Sequence, residues 1–205
     1  MKNSTSKFRD LSWQQVLHGY SMGIFPMGTE DGDTVSWYEA NPRAIIPVEL
    51  PIAKLNIPRS LLQVIKKNEF EIRINTAFAE VIKECAARES TWINRPIIRV
   101  YGELHKLGFA HSVEAWFEGK LAGGLYGVAL HGAFFGESMF YKVSNASKVC
   151  VVKLYEILKQ NKYLLFDIQM MTPHFNSLGA IDISKRAYQE ILERAMEAER
   201  KFKIS

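Results

Sequence analysis

The chain has 205 residues, 47% of them hydrophobic and 12% aromatic, so it can bury a sizeable core and is not a disordered segment. A formal charge of +4, from 26 Lys and Arg against 22 Asp and Glu, suits an anionic partner without establishing one. Its two cysteines, Cys85 and Cys150, form no CxxC or Cys/His cluster, and no apolar run approaches the ~18 residues needed to span a bilayer, so a disulfide framework, a zinc site and a membrane span are not indicated.

The first ten residues, MKNSTSKFRD, carry no apolar signal-like core, and a cytoplasmic protein is expected. Ser12 followed by Gln15 is a capping-box pattern, and Trp13, Val16, Leu17 and Tyr20 recur at helical spacing, which predicts a short helix ended by Gly19 and Gly23. The stretch GIFPMGTEDGDTVSWYEANPRAIIPVELP is rich in turn residues. Its apolar pieces around residues 24–25, 35–38 and 44–48 predict a small irregular β layer. Trp37 and Tyr38, just before an Asn-Pro turn, suit either the core of that layer or a ligand wall. Pro47, Pro51 and Pro58 then punctuate the chain, placing a domain boundary near residues 52–58 and dividing it into 1–57 and 58–205.

Ser60 and Gln63 repeat the capping-box pattern ahead of Leu61, Leu62, Val64 and Ile65, and predict a helix with a basic end at Lys66 and Lys67. Phe70 to Ile74 alternates like a strand. Phe78, Val81, Ile82 and Cys85 mark a further helix starting at Asn75 or Thr76, and Pro96 at position N1 leads Ile97, Val100, Tyr101 and Leu104 along another, closed by Gly108. From His111 the period becomes two. Residues 111–117, 121–129 and 133–140, joined by Glu118-Gly119 and His131-Gly132, predict an antiparallel meander. Ser144, Asn145 and Ser147 offer caps for a helix with Cys150, Leu154, Ile157 and Leu158 inward; Leu164 to Met170 is a strand; Ser184 caps a last helix.

That order predicts an α/β (α+β) fold, an N-acetyltransferase-like C-terminal domain preceded by a small mixed α/β N-terminal domain. Enzymes of that fold that use coenzyme A need a Gly-rich loop after the third meander strand, and here the loop reads YKVSNASK, without glycine. Glu137 follows the apolar run Ala133, Phe134 and Phe135, and so lies at the edge of an apolar place, where a solvated strand end is the ordinary alternative. Asp167 and Gln169, two apart on LLFDIQM, share a strand face opposite Phe166, Ile168 and Met170. Together with Glu137 they make a polar cluster able to orient an amine and take its proton. His111 and His174 flank these segments, but isolated histidines are more often structural.

GELHKLGFAHSVEAW, GGLYGV, GESMF, NASK, DIQ and HFNSLGA, with GIFP and WYEANPRA near the start, resemble the leucyl/phenylalanyl-tRNA-protein transferase family over roughly residues 11–192. The resemblance implies transfer of Leu or Phe from aminoacyl-tRNA to the α-amino group of proteins beginning with Lys or Arg, which marks them for N-end-rule degradation. A monomer needing neither metal nor cofactor is expected, since an aminoacyl ester is already activated. By the same resemblance Gln169 contacts the nucleophilic amine, Asp167 orients Gln169, and Glu137 meets the acceptor's amine or its cationic side chain. Trp37, Trp92, Leu125, Phe134, Val151 and Leu158 become the wall of the donor pocket, although Val151 and Leu158 also fit a helix core. Leu125 stands where relatives have Met, and Met27 where they have an aromatic residue after the proline of GIFP. Arg59, Lys66, Lys67, Arg73 and Lys83 are the candidate tRNA contacts. An acyl-CoA-dependent N-acetyltransferase and a non-catalytic RNA-binding module remain the alternatives on the residues alone.

Overall fold

A computed structural model describes residues 2–3, 9–49, 55–88 and 91–204. The Ser12 capping box closes as expected over α1 (Trp13–Ser21): the Ser12 hydroxyl accepts from the Gln15 amide and the Gln15 side chain accepts from the Ser12 amide at 2.9 Å. β2 (Phe25–Gly28) and β3 (Val35–Glu39) pair antiparallel, and β1 (Lys2–Asn3) adds to the far side of β3, giving the small expected layer. The third apolar piece does not belong to it. β4 (Arg43–Ile46), buried along its whole length, pairs instead within a seven-stranded sheet. It lies before the expected division at 57/58, so the two units share a sheet. Pro51 and residues 50–54 of that boundary fall outside the described residues.

α2 (Arg59–Lys66) starts after Pro58 with no side-chain cap, so Ser60 sits inside the first turn and the second capping box does not form. α3 (Phe78–Ala86) begins later than expected because Asn75 and Thr76 are used otherwise. Asn75 is left-handed (φ 61) and its side-chain oxygen accepts from the Ser112 amide at 3.0 Å. The buried carboxylate of Glu114 accepts from the Thr76 and Ala77 amides at 3.0 and 2.9 Å, capping the helix from across the sheet. α4 (Arg95–Lys106) is capped by Asn94, which puts Pro96 at N2.

β5 (Glu71–Ile74), β6 (Ala110–Phe117), β7 (Lys120–Leu130) and β8 (Ala133–Tyr141) run antiparallel in succession along one side of the sheet. α5 (Ala146–Gln160) then crosses over so that β9 (Leu165–Gln169) lies parallel to β8. A short α6 (Pro173–Ser177) and β10 (Ile181–Ile183), neither expected, precede α7 (Lys185–Glu197), capped by Ser184. The strand order is β10-β4-β9-β8-β7-β6-β5, the N-acetyltransferase-like arrangement of a meander followed by a crossover helix and a parallel strand. Helices cover both faces. Tyr20, Val81, Cys85, Val100, Tyr126, Phe135 and Tyr188 build the core on one side, and Leu125, Phe134, Cys150, Leu154 and Phe166 the core on the other. No helix among the described residues is long and apolar enough to cross a membrane.

Candidate active site

The parallel pairing of β8 and β9 stops at Phe135 and Asp167, and beyond that point the strands part. Two irregularities lie at the opening. On β7 Tyr126 and Gly127 pair with Ser138 and Gly136, so Glu137 is the extra residue of a β-bulge. On β4 Ala44 and Ile45 pair with Gln169 and Asp167, which leaves Ile168 as the extra residue of β9. The first bulge depends on Gly127, where an added Cβ would fall 2.3 Å from the Phe135 carbonyl oxygen. Each bulge re-aims a side chain, and Glu137 and Gln169, one from each parted strand, meet: the Gln169 amide donates to Glu137 Oε1 at 3.3 Å.

Glu137 is held from two helices. Tyr20 of α1 donates to Oε1 at 2.5 Å and Tyr101 of α4 to Oε2 at 3.0 Å, while the two hydroxyls also touch each other. Burial pushes the Glu137 carboxyl up to about 7, against the two tyrosine hydrogen bonds that pull it down. Burial, with Glu137 beside them, also pushes both tyrosines well above their ordinary range, so they remain protonated donors. A carboxyl poised near neutrality suits proton transfer to and from an amine.

Asp167 has a different task. Arg43 grips it through Nε at 2.9 Å and Nη2 at 2.6 Å, Tyr188 donates to it at 2.8 Å, and the Gln169 backbone amide donates at 2.8 Å. Both charges of the pair are fully buried, and the remaining Arg43 nitrogen, Nη1, donates to the Gly23 carbonyl at 2.9 Å. Asp167 thus fixes the backbone of Gln169, itself left-handed at φ 57, and not its side-chain amide.

A cavity of about 210 Å³ opens where the strands part, with Glu137 and Gln169 at its polar end. Trp92, Leu125 and Val151 line it as expected from the sequence; Trp37, Phe134 and Leu158 do not. Trp37 packs over Gly19, Phe134 stacks edge-on against Phe166 in the second core, and Leu158 is buried there too. Further wall comes from Phe25, Met27, Met139, Phe166, Ile168 and Phe175. Tyr126 also reaches it, and its buried hydroxyl has no partner among the described residues, which leaves a hydrogen bond available to whatever enters. Arg43, Tyr20, Tyr101 and Tyr188 are the site residues that sequence reasoning missed. Of the candidate tRNA cations, Arg59, Lys66, Lys67 and Lys83 are exposed on α2, the turn after it and α3; Lys67 has Glu69 at 3.9 Å, and Arg73 on the edge strand β5 is held by Glu71 at 2.7 Å.

An apolar cavity that ends at a carboxyl and an amide has room for an apolar acyl group beside polar groups, a layout that fits an acyltransferase. The family model for leucyl/phenylalanyl-tRNA protein transferase matches residues 49–193, and the model for that enzyme's N-terminal domain matches residues 9–41. Relatives named leucyl/phenylalanyl-tRNA–protein transferase include one from Salinibacter ruber, 46% identical over 92% of this chain and 81% of its own length. Those from Herpetosiphon aurantiacus and Akkermansia muciniphila are 44% and 43% identical, over 94% and 91% of this chain and 98% and 97% of theirs. Among solved structures, L-PGS from Bacillus licheniformis aligns at 11% identity with a TM-score of 0.42, over 91% of this chain and 58% of that one, a likeness too slight to argue from. The chain belongs to the leucyl/phenylalanyl-tRNA protein transferase family and is an aminoacyltransferase.

Proposed function

We propose that this chain, as a monomeric cytoplasmic enzyme, transfers Leu or Phe from aminoacyl-tRNA to the α-amino group of proteins beginning with Lys or Arg, marking them for N-end-rule degradation. The observation that carries the reading is the apolar cavity that ends at the Glu137–Gln169 contact. Leu or Phe fills the apolar part, and its ester carbonyl faces the gap between the parted strands. The acceptor's amine attacks that carbon, a C–N bond forms, and the bond to the terminal ribose oxygen breaks. The amine loses a proton and the ribose oxygen gains one.

Glu137, held near 7, is matched to an α-amino group of pKa about 7.7 to 8.0, so the proton passes for roughly 1 kcal/mol. Returned to the ribose oxygen, it balances the reaction. Gln169, whose amide does not titrate near neutral pH, positions the amine; Asp167, through the Gln169 backbone and Arg43, keeps that amide in place. Asp167 is therefore a positioning residue, with no free lone pair directed at substrate.

Discrimination against β-branched Val and Ile needs a deep cavity with a narrow entrance and would amount to about 1 to 3 kcal/mol per misplaced methyl. The deciding assay offers the protein labelled Leu-tRNA and a peptide beginning with Arg, with acetyl-CoA as a second donor and a peptide beginning with Ala as a second acceptor. Transfer from tRNA to the Arg peptide alone is the expected result. Labelling from acetyl-CoA, or tRNA binding without transfer, overturns it in favour of an N-acetyltransferase or an RNA-binding module.

A further inference from the structure

Next to the aminoacyl cavity lies a second, larger one of about 590 Å³ that shares Arg88 and Met139 with it. Its wall sets basic and polar side chains beside apolar surface from Ala87, Met139 and Phe140. Lys142 follows the end of β8, Lys148 lies in the first turn of α5, and Arg88 comes from the segment after α3, where it donates to the Met139 carbonyl. Glu84 is the one acid on that wall among the described residues, and it is already paired with Lys142 at 2.5 Å.

The segment between β8 and α5 shapes the floor. Asn145 is left-handed (φ 70), so the glycine-free loop still makes the tight turn into the helix. The first turn of α5 contains no acid and presents backbone amides, and Ser147, 5% exposed, lines the cavity. His174 lines it too, and its Nε2 is buried without a partner among the described residues. Donors and cations converge there with little negative charge to oppose an anion.

We propose that this groove holds phosphodiester groups of the single-stranded RNA end that carries the donor amino acid, with Arg88, Lys142 and Lys148 as the phosphate contacts and Ser147 as a further donor. The inference rests on the aminoacyl-tRNA reading above. A donor whose amino acid fills the first cavity must lead its RNA away from the terminal ribose, and the groove begins at the residues the two cavities share. The other substrate is a poor fit, because a peptide beginning with Lys or Arg brings positive charge to a positive wall.

The test is the double variant Lys142→Gln/Lys148→Gln, in which neither residue belongs to the acyl-transfer machinery. Binding of deacylated tRNA is measured across 50 to 200 mM salt, and KM is measured for Leu-tRNA, for 3′-O-leucyl-adenosine, which has no phosphodiester, and for the Arg peptide. Loss of two single-strand phosphate contacts is expected to flatten the log–log salt slope by about 1.4. KM should rise for Leu-tRNA and stay unchanged for leucyl-adenosine, and Lys142→Arg/Lys148→Arg should restore the slope. An unchanged slope, or a rise in KM confined to the Arg peptide, overturns the proposal. If the wild-type protein transfers from neither donor, the transfer reading fails on its own while the salt slope still decides the groove.

Discussion

In the proposed reaction Glu137 is the residue on which the chemistry turns, and its protonation has two measurable consequences. In that reaction activity requires the ionised form, so kcat/KM should rise with pH through about 7, a limb that runs into the titration of the acceptor amine at about 7.7 to 8.0. Glu137→Gln should remove that limb and lower kcat by about 10² to 10⁴. Stability moves the other way. The folded carboxyl titrates near 7 and the unfolded one near 4.5, so between those values the folded chain holds a proton the unfolded chain has released, and stability falls as pH rises. Glu137→Gln keeps an oxygen for Tyr20 and Tyr101; urea unfolding should find it about 1 to 3 kcal/mol more stable than wild type at pH 8, with the gain gone at pH 4. Equal losses in both proteins would show that folding leaves the Glu137 carboxyl at its ordinary pKa. Asp167→Ala strands Arg43 in the core and should cost about 3 to 5 kcal/mol by the same measurement. The acids and Gln169 were legible because polar side chains interrupt apolar strands. Tyr20, Tyr101 and Tyr188 were not, since an inward tyrosine on a helical stripe reads as core until its hydroxyl partner is known, and Arg43 lay in a turn-rich stretch with no apparent depth.

At the scale of elements, the meander and its turns followed from alternation and from Glu118-Gly119 and His131-Gly132, but the bulges did not. A one-residue slip leaves the alternating pattern almost intact on either side. Asp167 and Gln169 accordingly looked like one face, whereas the extra residue Ile168 lets Asp167 sit under Arg43 and Gln169 enter the cavity. Helix starts failed for a related reason: α3 is capped by Glu114, a residue remote in sequence and visible only once β6 is in place. Gly127 offers the cleanest test. Gly127→Ala drives a methyl into the backbone of β8 and should cost roughly 1 to 3 kcal/mol, and because Glu137 shifts with the bulge, transfer should fall about a hundredfold. Gly102→Ala is the contrast. It lies in α4 with nothing within 4 Å of the added carbon, so it should leave transfer unchanged and stabilise the chain by up to about 1 kcal/mol. Equal activities in the two variants would detach the bulge from catalysis.

For the whole molecule, the placement of β4 decides how the parts depend on one another. Composition and proline punctuation suggested two pieces in series, because a strand's partners are invisible in a local stretch of sequence. With β4 hydrogen-bonded between β9 and β10, and with α1 and β4 both supplying groups to the site, the early segment cannot loosen without disturbing Asp167 and Glu137. Chains of this length often unfold in stages, yet here far-ultraviolet dichroism and tryptophan fluorescence should report one coincident transition. Two separated midpoints would show that the early segment melts alone. The two buried thiols carry this further. Cys85 belongs to the core on one side of the sheet and Cys150 to the core on the other, and burial holds both thiols above their ordinary range. Each helical layer therefore contains its own chemical clock: during gentle warming with iodoacetamide, whichever cysteine is alkylated first names the layer that lifts first.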